Sequence, residues 1–205
     1  MRALSGPSTE VIGLVLAAGR SRRFDGDKRR ALLPDGRSLL GASIETACQA
    51  FAEVWIVLRP DDDAQDLGIP PGVGIVRSEL ADLGMGHSLA AGIQHLASSR
   101  ARAVAILLGD MPWIAPASLR TLARAADPQR IVLPWYTGQR GHPVIFGRQF
   151  WPALELTRGD QGAKELIKAN AALCDSIQLD DPAILRDVDT RADLSQFGAD
   201  TERGS

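Results

Sequence analysis

Short runs of apolar residues alternate along this chain of 205 residues with segments that carry apolar residues at helical spacing. The runs at 11–17 and 103–108 contain no polar or charged side chain, which is typical of strands buried on both faces. The segment 38–51 instead has its apolar residues on one side, as an amphipathic helix does. This alternation predicts a three-layer α/β fold, in which helices cover both faces of a mostly parallel, twisted sheet.

The same pattern gives the order of the elements. The predicted strands cover residues 11–17, 54–58, 72–76, 103–108, 131–135, 143–146 and 173–179. The predicted helices cover residues 38–51, 86–98, 116–126, 149–156, 161–169 and 192–197. Turn residues are frequent between 136 and 147, which indicates a small antiparallel insertion. We therefore expect one domain over residues 11–197, with flexible termini at 1–10 and 198–205.

Composition excludes several classes of partner. A net charge of −2 gives no overall attraction to nucleic acid, and no apolar stretch reaches the length of a membrane span. The N-terminal MRALSGPSTE lacks the apolar region of a signal peptide. Cys48 and Cys174 lie far apart and outside any C-x-x-C pair, as is typical of free thiols in a reducing compartment. We expect a cytoplasmic protein without nucleic-acid or membrane partners.

A group of cations follows the first predicted strand. That strand ends in the small residues Ala17, Ala18 and Gly19, which let a ligand approach the backbone closely. The cations that come next are Arg20, Arg22, Arg23, Lys28, Arg29 and Arg30. Because α/β sheets bind ligands at the carboxyl ends of their strands, this order predicts a polyphosphate site. A solvated basic loop is the alternative.

A carboxylate lies at the corresponding point of a second strand. Asp110 follows the apolar run 103–108 directly, within the sequence L-L-G-D-M-P. Parallel strands bring their carboxyl ends to one edge, so Asp110 is expected beside the cations. Mg²⁺ is commonly held by one or two carboxylates together with phosphate oxygens, which makes Asp110 a predicted metal ligand. An ordinary turn aspartate is the alternative.

Two glycines precede the helix predicted at 86–98, in the sequence L-G-M-G-H-S-L-A-A-G. A helix start of this kind presents free backbone N–H groups to a ligand, and Ser88 either caps the helix or contacts a nucleotide. The same letters approximate a nucleophile elbow, with Ser88, Asp110 and His142 in the chain order of a hydrolase. The residues before Ser88 are polar and interrupted by glycine rather than strand-like, which disfavours a serine hydrolase.

Further polar residues lie in the second half of the chain. His142 precedes a proline at the start of a predicted strand and is either a structural histidine or a ligand contact. Asp160 is a good N-cap for the helix predicted at 161–169. Of Asp187 and Asp189 we expect only one to face the site, and we choose Asp189 as a second metal ligand. Thr190 as the cap of the last helix is the structural alternative.

These motifs together resemble a known family. The opening is similar to L-A-A-G-x-S-x-R-F-G-x-x-K of the nucleotidyltransferases, with Asp25 in place of the usual glycine. The later segments resemble G-M-G-x-S-L-A-x-G, G-D-M-P, G-H-P-V-x-F, G-D-x-G-A-[RK] and D-I-D-T-P-E-D-L, the last with Arg191 in place of proline. Their order over residues 11–197 resembles the molybdenum cofactor cytidylyltransferase branch.

The resemblance implies a Rossmann-like nucleotidyltransferase fold and a reaction. CTP would transfer its CMP moiety to the phosphate of molybdopterin-bound molybdenum and release pyrophosphate, with a molybdoenzyme as a possible recipient. The implied catalytic residues are Lys28, Arg23 and Asp110. The implied nucleotide contacts are Leu16, Ala17, Ala18, Gly19, Arg20, Ser21, Gly86 and Ser88. The implied acceptor contacts are His142 and Asp160, and Asp110 and Asp189 would hold Mg²⁺.

Several other functions share parts of this pattern. The guanylyl branch of the same family typically carries L-A-G-G where this chain has L-A-A-G, and a sugar-1-phosphate nucleotidyltransferase would share the opening and Asp110. A nucleotide-binding module that serves a molybdoenzyme without catalysis is a third alternative. A Rossmann dehydrogenase and a P-loop NTPase are disfavoured, because neither G-x-G-x-x-G after the first strand nor G-x-x-x-x-G-K-[ST] is present.

Overall fold

The structure is a computed structural model that describes residues 6–20, 24, 26–160 and 162–194. Its strands are β1 (Val11–Leu16), β2 (Val54–Leu58), β3 (Gly74–Arg77), β4 (Ala103–Leu108), β5 (Ile131–Tyr136), β6 (Gln139–Arg140), β7 (Val144–Gly147) and β8 (Cys174–Gln178). The α-helices are α1 (Leu39–Ala50), α2 (Met85–Leu96), α3 (Pro116–Arg124), α4 (Trp151–Leu154) and α5 (Lys164–Ala169). Short 3-10 helices cover Lys28–Arg30, Ala81–Leu83, Arg148–Phe150, Ala171–Leu173 and Pro182–Leu185.

One mixed sheet contains all eight strands. Its order is β3-β2-β1-β4-β7-β5-β6, and β8 also pairs with β5. The pairs β1–β2, β1–β4, β2–β3 and β5–β8 are parallel, whereas β7 is antiparallel to both β4 and β5, and β6 is antiparallel to β5. This topology confirms the predicted mostly parallel sheet. The antiparallel insertion predicted between 136 and 147 corresponds to β6 and β7.

Side chains alternate across the sheet and create a core on each face. Val11 and Val15 of β1 pack in one hydrophobic cluster with Ile44 of α1 and with residues of α3. Ile12 and Leu14 belong to the other cluster, which includes residues of α2 and α4. Because successive strand residues point to opposite faces, an unbroken apolar run serves both cores.

The boundaries of some elements differ from the predictions. The third strand begins at Gly74 instead of residue 72, and the helix predicted at 149–156 contains a 3-10 turn followed by the four residues of α4. The helix predicted at 161–169 begins only at Lys164, with Ala163 as its N-cap, so Asp160 does not cap it. Residues 191–194 are helical, and the rest of the last predicted helix lies outside the described residues.

The register of the central strands determines what meets at the carboxyl edge. Leu16 of β1 pairs with Leu108 of β4 and with Val57 of β2, so these three strands end almost level. The backbone N–H of Gly109 donates to the Leu16 carbonyl at 3.1 Å. The residues that follow β1 and β4 therefore start side by side, as predicted for the cations and Asp110. None of the helices in the described ranges is long and apolar enough to cross a membrane.

Candidate functional site

A cavity of about 580 Å³ opens at the carboxyl ends of β1 and β4. The predicted site residues that line it are Leu16, Ala17, Ala18, Gly19, Arg20, Lys28, Ser88, Asp110, Asp160 and Asp189. Gly86 and His142 do not line it. Ser21 and Arg23, which the sequence assigns to the phosphate site, lie outside the described residues. The structure thus brings most of the predicted site residues around one cavity.

Lys28 connects the two sides of this cavity. It begins the 3-10 helix Lys28–Arg30, whose N-cap Asp27 accepts a hydrogen bond from the Arg29 backbone N–H. The Lys28 ammonium lies 2.5 Å from Asp110 Oδ2, and it donates to the Val188 carbonyl at 2.9 Å. Asp189 Oδ1 is 3.7 Å from the same nitrogen. One cation is therefore held between two carboxylates.

The two carboxylate oxygens of Asp110 differ in their hydrogen bonding, since only Oδ2 accepts from Lys28. Asp110 Oδ1 is buried and has no hydrogen-bond partner within the described ranges. A buried acceptor without a donor is energetically costly, and functional sites are where such atoms are retained. The backbone of Asp110 is fixed as well, since its carbonyl accepts from the Val188 N–H at 3.0 Å. The oxygen is available to a bound cation or a polar ligand group.

Both acids of the late segment face the cavity, so the expectation that only one would do so is wrong. Asp187 and Asp189 line the cavity, while Val188 between them is completely buried against Phe24 and Leu39. In an extended segment, residues two apart point to the same side, which explains the outcome. The predicted cap is confirmed, because Asp193 N–H donates to Thr190 Oγ1 at 3.4 Å.

Gly86, near the start of α2, has a structural role instead of the predicted contact with a nucleotide. The helix begins at Met85, and the Gly86 N–H donates to the Gly159 carbonyl at 2.7 Å instead of facing a ligand. A Cβ on Gly86 would lie 2.7 Å from the backbone of Arg158, so this glycine allows the loop at 157–160 to pack on the helix start. That packing brings Asp160 to the cavity.

Ser88 lies inside the first turn of α2 and is buried, so it does not cap the helix. It lines the cavity, and the residues before it form the 3-10 helix Ala81–Leu83 rather than a strand. A nucleophile elbow requires a strand directly before the serine. The structure therefore agrees with the sequence in disfavouring a serine hydrolase.

His142 is close to the carboxylates without lining the cavity. Its backbone N–H donates to the Ile184 carbonyl at 2.8 Å, and its Nδ1 is buried with no partner among the described residues. Burial lowers the pKa of His142 and the charge of Arg140 lowers it further, while Asp110 and Asp187 act in the opposite direction. The imidazole is therefore neutral near pH 7.

Arg29 was predicted as one of the phosphate-site cations, but it is buried in an ion-pair network. Its guanidinium donates to the Ala17 carbonyl at 3.0 Å and forms ion pairs with Asp62 at 2.6 Å and Asp27 at 2.7 Å. Arg59 adds a second ion pair to Asp62 at 2.8 Å. Arg29 is only 4% exposed. This network fixes the end of β1 to the end of β2 and anchors the turn that carries Lys28.

The pKa values reflect this network. Burial alone would raise the pKa of Asp62, but hydrogen bonds from Arg29 and Arg59 hold it well below its usual range. Burial alone would lower the pKa of Arg29, and its two carboxylate partners raise it above the ordinary value. An acidic loop at 61–66 comes shortly after β2. In the sequence, this loop was the feature that could have predicted an ion pair with one of the arginines.

The remaining cations of the group have separate partners. Arg20 lines the cavity and is ion-paired with Asp82, a cavity residue that the sequence reasoning missed. Arg30 is exposed and lies 3.3 Å from Asp66. Of the described cations that follow β1, only Arg20, Lys28 and Arg29 line the cavity, and each of the three is paired with a carboxylate.

The carboxylates present are compatible with a divalent cation that also uses ligand oxygens. In the part of the chain that is described, no group of three or more His, Cys, Asp or Glu side chains forms a complete metal site. Asp110 and Asp189 nevertheless share one ammonium, and Asp110 Oδ1 is buried without a partner in the described ranges. Mg²⁺ and similar hard cations often take one or two carboxylates and complete their shell with phosphate and water oxygens.

Solved structures share this architecture. Rv0371c from Mycobacterium tuberculosis has a TM-score of 0.81 and 29% sequence identity, over 92% of this chain and 97% of that one. The same protein in complex with manganese has a TM-score of 0.77 and 28% identity, again over 92% of this chain and 97% of the other. The class defined by fold and site is thus an α/β, Rossmann-like protein with a ligand cavity at the carboxyl edge of its sheet.

The family follows from the sequence match. Residues 13–175 match the MobA-like NTP transferase domain, and the chain belongs to that family. PucB, a purine catabolism protein of Bacillus subtilis, is 28% identical over 89% of this chain and 93% of its own length. A probable molybdenum cofactor guanylyltransferase of Mycobacterium tuberculosis is 30% identical over 66% of this chain and 67% of its own. Nicotine blue oxidoreductase of Paenarthrobacter nicotinovorans is 31% identical over 88% of this chain and 92% of its own length.

Proposed function

We propose that this protein transfers the CMP moiety of CTP to the phosphate of a molybdopterin-type acceptor and releases pyrophosphate. The observation that carries the proposal is the position of the Lys28 ammonium, 2.5 Å from Asp110 and 3.7 Å from Asp189, in a cavity at the end of β1. Nucleotidyl transfer brings a polyanion to a phosphate nucleophile, so it needs cations, metal-binding carboxylates and precise alignment together. The family membership supports the same reaction class.

The triphosphate is assigned to the cations that follow β1. Lys28 and Arg20 line the cavity, and we assign Arg23 to the same role from the sequence. Ala17, Ala18 and Gly19 lie on the cavity wall, where small side chains allow phosphate and ribose groups to approach the backbone. The positive charges would stabilise the negative charge that develops on the leaving pyrophosphate.

Asp110 and Asp189 are the proposed ligands of a divalent cation, with Mg²⁺ as the physiological ion. A bound Mg²⁺ polarises phosphate oxygens and neutralises charge during displacement at phosphorus. The manganese complex of Rv0371c supports the use of a divalent ion in this fold. Asp187 also lines the cavity, and we assign its carboxylate to accept a hydrogen bond from a water molecule bound to that ion.

The proposed acceptor contacts are His142 and Asp160. A phosphate monoester is already largely ionised near pH 7, so its oxygen can attack without a general base. This agrees with the neutral state of His142, which would donate or accept a hydrogen bond without carrying charge. Asp160 lines the cavity next to Gly84. A molybdoenzyme would be the recipient of the finished cofactor.

The choice of CTP rests on the L-A-A-G sequence. Ala18 lines the cavity and is 3% exposed, so its methyl group leaves less room than the glycine that the guanylyl branch typically has there. GTP is the second candidate, and the relative named a probable molybdenum cofactor guanylyltransferase favours it.

The nucleotide preference can be measured by calorimetric titration with CTP, GTP, ATP and UTP, each with and without Mg²⁺. We expect selective binding of CTP that Mg²⁺ strengthens. A preference for GTP would move the proposal to guanylyl transfer, and a preference for ATP or UTP would favour a sugar-1-phosphate acceptor. Absence of binding by all four would contradict the nucleotidyltransferase proposal. Pyrophosphate release in the presence of molybdopterin would then separate catalysis from binding alone.

Gly19→Ala tests whether a ligand approaches the β1 turn. No described atom lies within 4 Å of the position of an added Cβ, and the backbone there is not in the left-handed region. The melting temperature should stay unchanged, while nucleotide affinity falls by about tenfold or more, because the methyl occupies the space of the phosphate.

Gly86→Ala is the contrasting variant. Its Cβ would lie 2.7 Å from the backbone of Arg158, so the substitution should lower the free energy of unfolding by about 1–3 kcal/mol. Unchanged affinity in Gly19→Ala would exclude close phosphate contact at this turn.

A further inference from the structure

We propose that Lys28 keeps free divalent cations out of the carboxylate site, so that the metal enters only as its complex with a nucleoside triphosphate. The inference rests on the proposed function and extends it, because it identifies the metal–triphosphate complex as the form of substrate that the site accepts. Its basis is the contact of one ammonium with both proposed metal ligands, Asp110 and Asp189.

The ammonium and a metal ion would compete for the same oxygen. Lys28 Nζ is 2.5 Å from Asp110 Oδ2, whereas Mg²⁺ binds its oxygen ligands at about 2.0–2.1 Å. A cation bound to this oxygen would lie close to the ammonium, and the two positive charges would repel each other. The side chains of Lys28 and Asp110 are only 15% and 18% exposed, so water screens their charges weakly and repulsion between two cations is strong.

Three contacts hold the ammonium beside the carboxylates. Besides the carboxylates of Asp110 and Asp189, Lys28 donates to the Val188 carbonyl at 2.9 Å. Val188 is itself held, because its side chain is fully buried and its N–H donates to the Asp110 carbonyl. The ammonium is therefore surrounded by oxygen atoms of Asp110, Asp189 and the Val188 carbonyl.

A triphosphate supplies what is needed to release the lysine. Its oxygens carry several negative charges, and the lysine side chain is long and flexible enough to move from a carboxylate to a nearby phosphate oxygen. Such a move would free Asp110 Oδ2 for the cation that arrives with the phosphates. Asp110 Oδ1 has no partner among the described residues, but a free cation bound there would share its carboxylate with the ammonium and be repelled by it until the lysine moves to the phosphates.

The backbone beneath Lys28 is fixed, so the exchange is confined to one side chain. Arg29, the next residue, is buried and bound to Asp27, Asp62 and the Ala17 carbonyl. These contacts of Arg29 anchor the 3-10 helix that carries Lys28. A metal-selection step of this kind requires no movement of the turn.

Manganese binding to the full chain in the absence of nucleotide tests the proposal. Free Mn²⁺ can be followed by electron paramagnetic resonance, and it is the ion found in complex with the related Rv0371c. Lys28→Met removes the ammonium and should bind free Mn²⁺ at least about tenfold more tightly than the unmodified protein, since net charge at the site controls metal affinity. The matched control is Lys168→Met, which removes an exposed lysine of α5 outside the cavity and should leave Mn²⁺ affinity unchanged.

Two additional variants make the result specific. Lys28→Gln should show the same gain in Mn²⁺ affinity, so it replaces Lys28→Met if that variant does not fold. Adding Asp110→Asn to Lys28→Met should abolish the gain, because the site then lacks its central carboxylate. In the unmodified protein, CTP should strengthen Mn²⁺ binding by a similar factor to the Lys28 substitution.

Each other outcome contradicts the inference. Equal or weaker Mn²⁺ binding in the Lys28 variants would show that the ammonium does not exclude the metal. An equal gain in Mn²⁺ affinity in Lys168→Met would show that the change in the net charge of the protein explains the effect. If the unmodified protein bound no triphosphate with or without metal, the proposed function would fail instead. Triphosphate binding combined with unchanged Mn²⁺ affinity in Lys28→Met would overturn this inference and leave the proposed function standing.

Discussion

Asp110→Ala is expected to lower kcat/KM for nucleotidyl transfer by about 10²–10⁴-fold, equivalent to about 3–5 kcal/mol of transition-state stabilisation. Asp110 is the only proposed metal ligand fixed at the end of a central strand, and one of its carboxylate oxygens is buried without a partner in the described structure. Steady-state assays of pyrophosphate release at increasing Mg²⁺ concentration would give the value. Losing the carboxylate removes both the metal ligand and the partner of Lys28.

The matched control for this loss is Asp66→Ala. Asp66 is also paired with a cation, Arg30 at 3.3 Å, but it is exposed and does not line the cavity. Its substitution should leave kcat/KM within about a factor of two, since exposed ion pairs contribute about 0–1 kcal/mol. Near-normal turnover of Asp110→Ala at saturating Mg²⁺ would rule out Asp110 as the metal ligand.

Arg29→Met is expected to lower the free energy of unfolding by about 3–5 kcal/mol, the usual cost of breaking a buried ion pair from one side. The substitution removes the Arg29 donors from Asp62, Asp27 and the Ala17 carbonyl, and leaves Asp62 with Arg59 as its remaining arginine partner. Asp62 is the critical partner because its side chain is only 6% exposed. Urea unfolding followed by circular dichroism would measure the change as a shift of the transition midpoint.

Arg37→Met provides the comparison at an exposed site. Arg37 also has two carboxylate partners, Asp35 and Glu45, both at 2.6 Å, but its side chain is 46% exposed. We expect a loss of no more than about 1 kcal/mol there, because water screens the exposed pairs. Equal losses in the two variants would show that burial does not set the strength of the Arg29 network.

Acid should weaken the fold through the same network. The pKa of Asp62 is lowered in the folded protein, so its contribution to stability is complete above its unfolded pKa near 3.8 and is lost as pH falls toward the folded value. The free energy of unfolding should therefore decline below about pH 4. In Arg29→Met this decline should be shallower. An identical pH slope in the two proteins would exclude Asp62 as its source.

The strands and the position of the site were accessible from the sequence because they depend on local pattern. Apolar runs defined β1 and β4, and parallel packing required the residues after both strands to meet at one edge. This argument located Lys28 and Asp110 together without any knowledge of side-chain contacts. The resemblance supplied the later motifs, whose residues mostly surround the same cavity.

The burial of the Arg29 side chain could not be predicted in the same way. Lys28 and Arg29 are consecutive cations, and only the positions of Asp62 and Asp110, 33 and 82 residues away from their partners, decide which side each one faces. Gly86 was misinterpreted for a similar reason. Its N–H is taken by Gly159, a contact created by the packing of two distant segments.

The docking of residues 187–189 has a consequence for the order in which the site is assembled during synthesis. The eight strands of the described residues and the matched family region end before residue 180, so the ribosome completes their sequence before it makes Asp187 and Asp189. Until Val188 reaches Asp110, Lys28 lacks its carbonyl partner and Asp110 lacks its neighbouring acids. The carboxyl edge of the sheet can therefore form before Asp187 and Asp189 join it, and the cavity gains these two carboxylates only after the sequence of the sheet has been made.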